Sequence, residues 1–148
     1  MAKFIYRMQN ILNLKQMLES QEKAEFALAA ARESEERRKL SALFIRKNDY
    51  EKSLAISLDS DQIDLNEVNF YRDAVRTIKS MIRDQMFEVK KAQQALDMER
   101  EKLDLAMKER KTQEKLKEKA FDSFKQELAS TENKINDELT SYRYSGRN

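Results

Sequence analysis

No proline interrupts this chain of 148 residues, and its only glycine, Gly146, stands near the C-terminal end. Proline breaks helices by steric clash and a missing donor, so a chain without it has little to stop a helix once started. One stretch departs from this pattern, Ser57 to Glu67. Asp, Asn and Ser are dense there, and their short side chains compete with helical backbone hydrogen bonds. Asp64 precedes Glu67 by three, the spacing of a capping box that opens a new helix. This predicts one turn between two long helices. The alternative is a single continuous helix with a local weakness, but its apolar seam would need a second chain to cover it.

The expected fold is therefore all-α: two long helices in an antiparallel coiled-coil hairpin, forming a single elongated domain over residues 1–148. Helix one is expected over about residues 3–57, the turn over 58–66, and helix two over 67–143, with a frayed C-terminus. Composition agrees, since 38% of residues are charged and 40% hydrophobic, as in long helices. Disorder is excluded by the seven Phe and seven Met, because disordered chains are poor in large apolar side chains.

Along helix one, Phe4, Met8, Ile11, Leu14, Leu18, Ala24, Leu28 and Ala31 recur at steps suited to one helix face. Arg32 to Lys39 contains no apolar side chain, which implies a polar layer or a loose segment. The seam resumes at Leu40, Leu43, Tyr50 and Leu54, with Lys47 interrupting it. Helix two reads more clearly. Val68, Tyr71, Val75, Ile78, Ile82, Val89, Ala92, Leu96, Leu103 and Ala106 alternate steps of three and four, with Gln85 and Glu99 as polar members. β-branched residues recur at one of the two seam positions, as two-stranded coiled coils prefer. Past Lys108 the seam fades and is expected to return shifted by one residue, at Phe121, Phe124, Leu128, Ile135, Leu139 and Tyr142. Helices of roughly 55 and 75 residues would measure about 80 Å and 110 Å. Phe4 would then lie opposite roughly residue 119, leaving the Phe121 to Tyr142 stripe without a partner in its own chain.

Chemistry is not expected. Histidine and cysteine are both absent, which removes the commonest general base, metal ligand and thiol nucleophile. No glycine-rich loop can cradle a phosphate, and the acidic turn lacks the glycine of a calcium loop. The chain is expected to be no enzyme, to need no cofactor or metal, and to work by binding. A net charge of +2 argues against nucleic acid as the partner. No run of about 18 apolar residues offers a transmembrane segment. Residues 1–10 lack the apolar core of a signal peptide, so a cytoplasmic protein is expected.

The pattern Phe4-x-Tyr6-Arg7-x-Gln9-x-x-Leu12-x-Leu14-Lys15, followed by Glu19, resembles the FliJ proteins of the bacterial flagellar export apparatus. The likeness continues through Asp49-Tyr50-x-x-Ser53-Leu54 and Asn69-x-Tyr71, and so covers essentially the whole chain. It implies a coiled coil similar to the central stalk of rotary ATPases. Such a protein would bind the flagellar type III export ATPase, promote its ring and contact the cytoplasmic domain of the export gate. It would also escort export chaperones, and would sit peripherally at the inner face of the cell membrane at the flagellar base.

Carried onto this sequence, the gate-facing surface would include Leu43, Tyr50, Ile78 and Met81, while Arg46 stands where the family can carry an aromatic. Tyr71 faces Tyr50 across the turn, and the off-seam Phe44 and Phe70 join the expected gate contacts. The ATPase-facing surface would comprise Phe4, Met8 and Ile11 with Phe121, Phe124, Leu128 and Ile135. Two rival readings remain at this point: a self-assembling structural coiled coil, and an export-chaperone escort without a stalk role.

Overall fold

The computed structural model describes residues 2–146. Two helices account for nearly all of them, α1 (Gln9–Leu58) and the longer α2 (Leu65–Ser145). No strand occurs among the described residues. None of these helices is long and apolar enough to cross a membrane. The chain forms two compact units. The turn unit runs from Glu22 to Leu103, and the terminal unit joins the residues up to Gln21 with those from Asp104 onward.

The turn is short and polar for local reasons. At the end of α1 the Asp59 amide donates to the carbonyls of both Ala55 and Ile56, at 3.1 and 3.2 Å. Ser60 Oγ then donates to the Gln62 carbonyl at 3.0 Å, tightening the loop. Asp64 caps α2: its Oδ1 accepts from the Asn66 amide at 3.0 Å, and its carbonyl accepts the first helical bond, from Val68. Glu67 does not complete a capping box. Its Oε1 instead accepts a 2.9 Å hydrogen bond from Ser57 Oγ, which ties the last turn of α1 to the first turn of α2. Ser57 is buried and Glu67 exposed, so this bond is partly shielded from water.

In the turn unit α2 folds back antiparallel on α1. The covered seam of α2 is Val68, Tyr71, Val75, Ile78, Ile82, Gln85, Val89, Ala92, Leu96, Glu99 and Leu103, the periodicity expected from sequence, with Ala74 and Gln93 half-buried beside it. On α1 it is Phe26, Ala29, Glu33, Glu36, Leu40, Leu43, Lys47, Tyr50, Leu54 and Ser57, also at alternating steps of three and four, with Glu22, Ala30 and Ser53 half-buried as well. Ile78 is the deepest side chain, only 2% exposed. The stretch Arg32 to Lys39 stays helical and forms a polar layer. Gln85 Nε2 donates to both the carbonyl and the carboxylate of Glu36, while Arg37 pairs with the buried Glu33.

The seam of α1 differs from the sequence expectation. Met8, Ile11, Leu14, Leu18 and Leu28 are exposed, the last by 54%, and Ala24 and Ala31 are exposed too. The covered face lies beside them, at Leu12, Lys15, Glu19, Glu22, Phe26 and Ala29. Charged residues occupy this seam because charged partners on α2 meet them. In the terminal unit Arg110 binds Glu19, and Lys15 Nζ lies 3.0 Å from Glu109.

Two further expectations need correction. The start of α1 is Gln9, not residue 3, because Phe4 packs its ring on α2 and the chain enters the helix only after the Gln9 amide bonds the Tyr6 carbonyl. The seam of α2 does not shift past Lys108. Ala106, Arg110, Gln113, Lys117, Ala120 and Phe124 continue the same spacing, with polar residues filling the places where apolar ones were sought. Fraying was expected at the C-terminus, but α2 holds to Ser145, and residues 147–148 lie outside the described residues.

Candidate interaction surfaces

Each unit leaves a group of the apolar side chains singled out from sequence in water, and others are exposed as well, Leu28, Met86, Phe87 and Met98 in the turn unit and Leu105 and Leu116 in the terminal unit. In the turn unit Phe44, Phe70 and Met81 are exposed, Phe70 by 62%. They lie beside the seam rather than in it, and packing within the unit does not cover them. Tyr50 and Tyr71 face one another with ring centroids 6.5 Å apart, and Phe70 meets the Tyr71 ring edge-on at 5.4 Å. The structure thus gathers Tyr50, Phe70 and Tyr71 into one aromatic cluster, with Leu43 half-buried on the α1 seam. Ile78 leaves this surface: at 2% exposure it holds the two helices together and offers nothing to a partner.

Sequence reasoning missed a neighbouring set. Ile45, Ile56, Ile63 and Leu65 are all exposed, Ile63 and Leu65 within and just after the acidic turn. The available signal was the presence of isolated large apolar residues among Asp and Gln, where a solvated turn has no use for them.

In the terminal unit the non-helical start of the chain is pinned by an aromatic trio. The Phe4 ring lies 5.1 Å from Phe121 and 5.5 Å from Phe124, measured between centroids. Lys125 places its ammonium over the Phe121 ring, 4.5 Å from the centroid. A shallow groove beside this trio is lined by Leu12, Gln16, Glu114, Lys117 and Glu118. Met8 and Ile11 stay exposed on the adjacent face of α1. Beyond Phe124 every described residue of α2 is exposed. Leu128, Ile135, Leu139 and Tyr142 therefore form a bare apolar stripe. The stripe was expected to lack any partner in its own chain from Phe121 onward, but Phe4 packs on Phe121 and Phe124, and only Leu128, Ile135 and the described residues beyond are bare.

Electrostatics in the terminal unit centre on Arg110. Its guanidinium donates to Glu19 through Nε at 2.6 Å and Nη2 at 3.2 Å, and to Glu114 through Nη1 at 2.9 Å. Its hydrogen bonds to Glu19 first, then to Glu114, raise its pKa above the usual guanidinium value. In the turn unit the Gln85 amide, then Lys39, holds the Glu36 carboxyl below its ordinary value. Neighbouring Glu35 is lowered mainly by its hydrogen bond to Arg38. These are surface and seam ion pairs that fix helix register. None is joined to an enclosed cavity or to a nucleophile.

The model of the flagellar FliJ protein family matches residues 4–148, nearly the entire chain. No curated protein and no solved structure matches it.

Proposed function

The chain belongs to the flagellar FliJ family, whose members are structural components of flagellar type III protein export, and on that premise we propose that it couples an export ATPase to the export gate by binding both. The observation that supports this reading is a group of exposed apolar side chains in each unit. One surrounds the turn, at Phe44, Phe70 and Met81; the other runs along α2 from Phe121 to Tyr142. A protein that only held itself together would cover such groups, since exposed apolar patches mark interaction sites.

In this proposal the terminal unit meets the ATPase ring through Phe4, Met8, Ile11, Phe121, Phe124, Leu128 and Ile135. The turn unit meets the cytoplasmic domain of the gate through Phe44, Phe70 and Met81, with Leu43, Tyr50 and Tyr71 at the margin. Export chaperones are a further class of partner. The protein would act in the cytoplasm, at the inner face of the membrane beneath the flagellum, and would make or break no bond itself. Helices that carry ion pairs along their seam suit a part that must hold its register while force is applied at its ends.

The test is ATP hydrolysis by the cognate export ATPase, with and without this protein near stoichiometry, with ring formation scored by sedimentation. Stimulated hydrolysis accompanied by more hexamer is the expected result. Unchanged hydrolysis without co-sedimentation overturns the ATPase half of the proposal.

A further inference from the structure

The bare stripe on α2 has a spacing that reads identically in both directions. Phe121, Phe124, Leu128, Ile135, Leu139 and Tyr142 follow one another at steps of three, four, seven, four and three. All lie on one helix face, and all but the half-buried Phe124 are exposed, with Phe4 of the same chain already resting on the Phe121 and Phe124 rings. An antiparallel copy of the same segment therefore sets Phe121 against Tyr142, Phe124 against Leu139, and Leu128 against Ile135. The two-fold axis falls between Thr131 and Glu132. We propose that this stripe is covered by a second copy of the chain, in an isologous antiparallel pair of α2 segments about 33 Å long.

Three observations favour this occupant over an unrelated protein. The first is the palindromic spacing, which a heterologous partner would not require. The second is charge. At about 100° per residue, Glu127 and Lys134 fall on the same flank of the stripe, and an antiparallel two-fold pair brings like flanks together. Glu127 then meets Lys134 of the second copy, twice per dimer. On the other flank Glu118 meets Arg143 in the same way. A parallel pair would use neither the palindrome nor these charges, because Glu127 and Lys134 would be offset by about 10 Å along the axis. The third is the centre of the stripe. Thr131 is its polar residue, and its hydroxyl already donates to the Glu127 carbonyl at 2.9 Å. It can enter an interface without leaving a donor unpaired. Two like-charge meetings remain: Glu132 with its own copy beside the axis, and Glu127 with Glu138 of the second copy, which lies on the same flank and as near in level as Lys134.

The proposal stands on the geometry of this segment and not on the ATPase reading. It adds to that reading a competition: the dimer covers Phe121, Leu128 and Ile135, which would also serve the ring, so ring binding and self-pairing exclude one another.

Sedimentation equilibrium of the full chain, up to roughly 100 µM, reads mass alone and so succeeds or fails independently of the ATPase assay. A concentration-dependent dimer is expected. Leu128→Asp with Ile135→Asp should abolish it, and helix content by circular dichroism should stay unchanged because both side chains are exposed. Lys134→Glu should weaken the dimer about tenfold by turning two attractions into repulsions, and adding Glu127→Lys should restore it. Glu132→Gln should tighten it about threefold. A chain that stays monomeric throughout overturns the proposal. So does a dimer in which the double charge swap associates no better than Lys134→Glu alone.

Discussion

Arg110 reaches from α2 to Glu19 on α1 and holds it through two nitrogens, at 2.6 and 3.2 Å. Glu19 is only 5% exposed, and both residues occupy seam positions that a two-stranded coiled coil ordinarily fills with apolar side chains. The pair explains why an apolar reading of α1 settles on the wrong face, and it makes a specific demand on stability.

Removing one partner should cost more than removing both. Arg110→Met leaves the Glu19 carboxylate buried without its fork, and the melting temperature should fall by several degrees. Glu19→Leu combined with Arg110→Leu should recover most of that loss, because an apolar layer replaces an ion pair of similar volume. Thermal unfolding of the two variants checks this. Equal destabilisation by both would show that the pair adds little beyond packing.

Seam and surface side chains in the turn unit should separate cleanly. Ile78→Ala should cost about 3 kcal/mol in chemical denaturation, as truncation of a fully buried side chain does. Phe44→Ser with Phe70→Ser should change the unfolding midpoint far less than Ile78→Ala, since Phe44 is 42% and Phe70 62% exposed. The same double variant should weaken binding to the gate's cytoplasmic domain at least tenfold, measured by calorimetry.

Acid should loosen the turn unit, and the sign follows from the polar layer. Glu35 and Glu36 titrate below the ordinary value of 4.5 in the folded chain, because Arg38 and Gln85 bond their charged forms. Protons therefore bind the unfolded chain more readily. The stability these groups add is present above about pH 4.5 and is lost as pH falls through their lower folded values. Both groups meet solvent, so the effect is modest. Melting curves between roughly pH 6 and 3 should drop less steeply in Glu35→Gln with Glu36→Gln than in the natural chain.

The bare part of α2 should be dispensable for folding and needed for binding. Ending the chain after Lys125 keeps the Phe4, Phe121 and Phe124 trio and, among the described residues, removes only exposed ones. The melting temperature should then stay within about 2 °C of the natural value. Stimulation of the export ATPase should be lost. A large fall in melting temperature would mean that the removed segment packs on the rest.

The sequence was easiest to read where chemistry and geometry agreed. From Val68 to Ala106 the covered positions of α2 are those read from the spacing, because nearly all of them are apolar and Gln85 and Glu99 interrupt singly. Asp64 likewise marked the start of α2 by the hydrogen bonds its side chain can accept. The spacing failed where burial followed charge pairing instead. Lys15, Glu19 and Glu22 lie on the covered face of α1, while Met8, Ile11, Leu14 and Leu18 beside them stay in water. A hydrophobicity pattern selects the second set, and only knowledge of Glu109 and Arg110 across the interface would select the first. The same blindness made the α2 seam seem to shift past Lys108, where Arg110, Gln113 and Lys117 continue it. Among the site candidates, Phe44 and Phe70 were legible as off-seam aromatics. Ile78 was readable both as a seam residue from its spacing and as a gate contact from the resemblance, and its burial decides for the seam.

The unbroken alternation of threes and fours along α2 makes its length a discrete quantity. One residue inserted anywhere in it would turn every later side chain by about 100°, carrying Arg110 away from Glu19 and Phe121 away from Phe4. Seven residues inserted at once would restore the facing. In such a chain, evolutionary change in length should come in heptads, or be confined to the turn and to the bare end of α2.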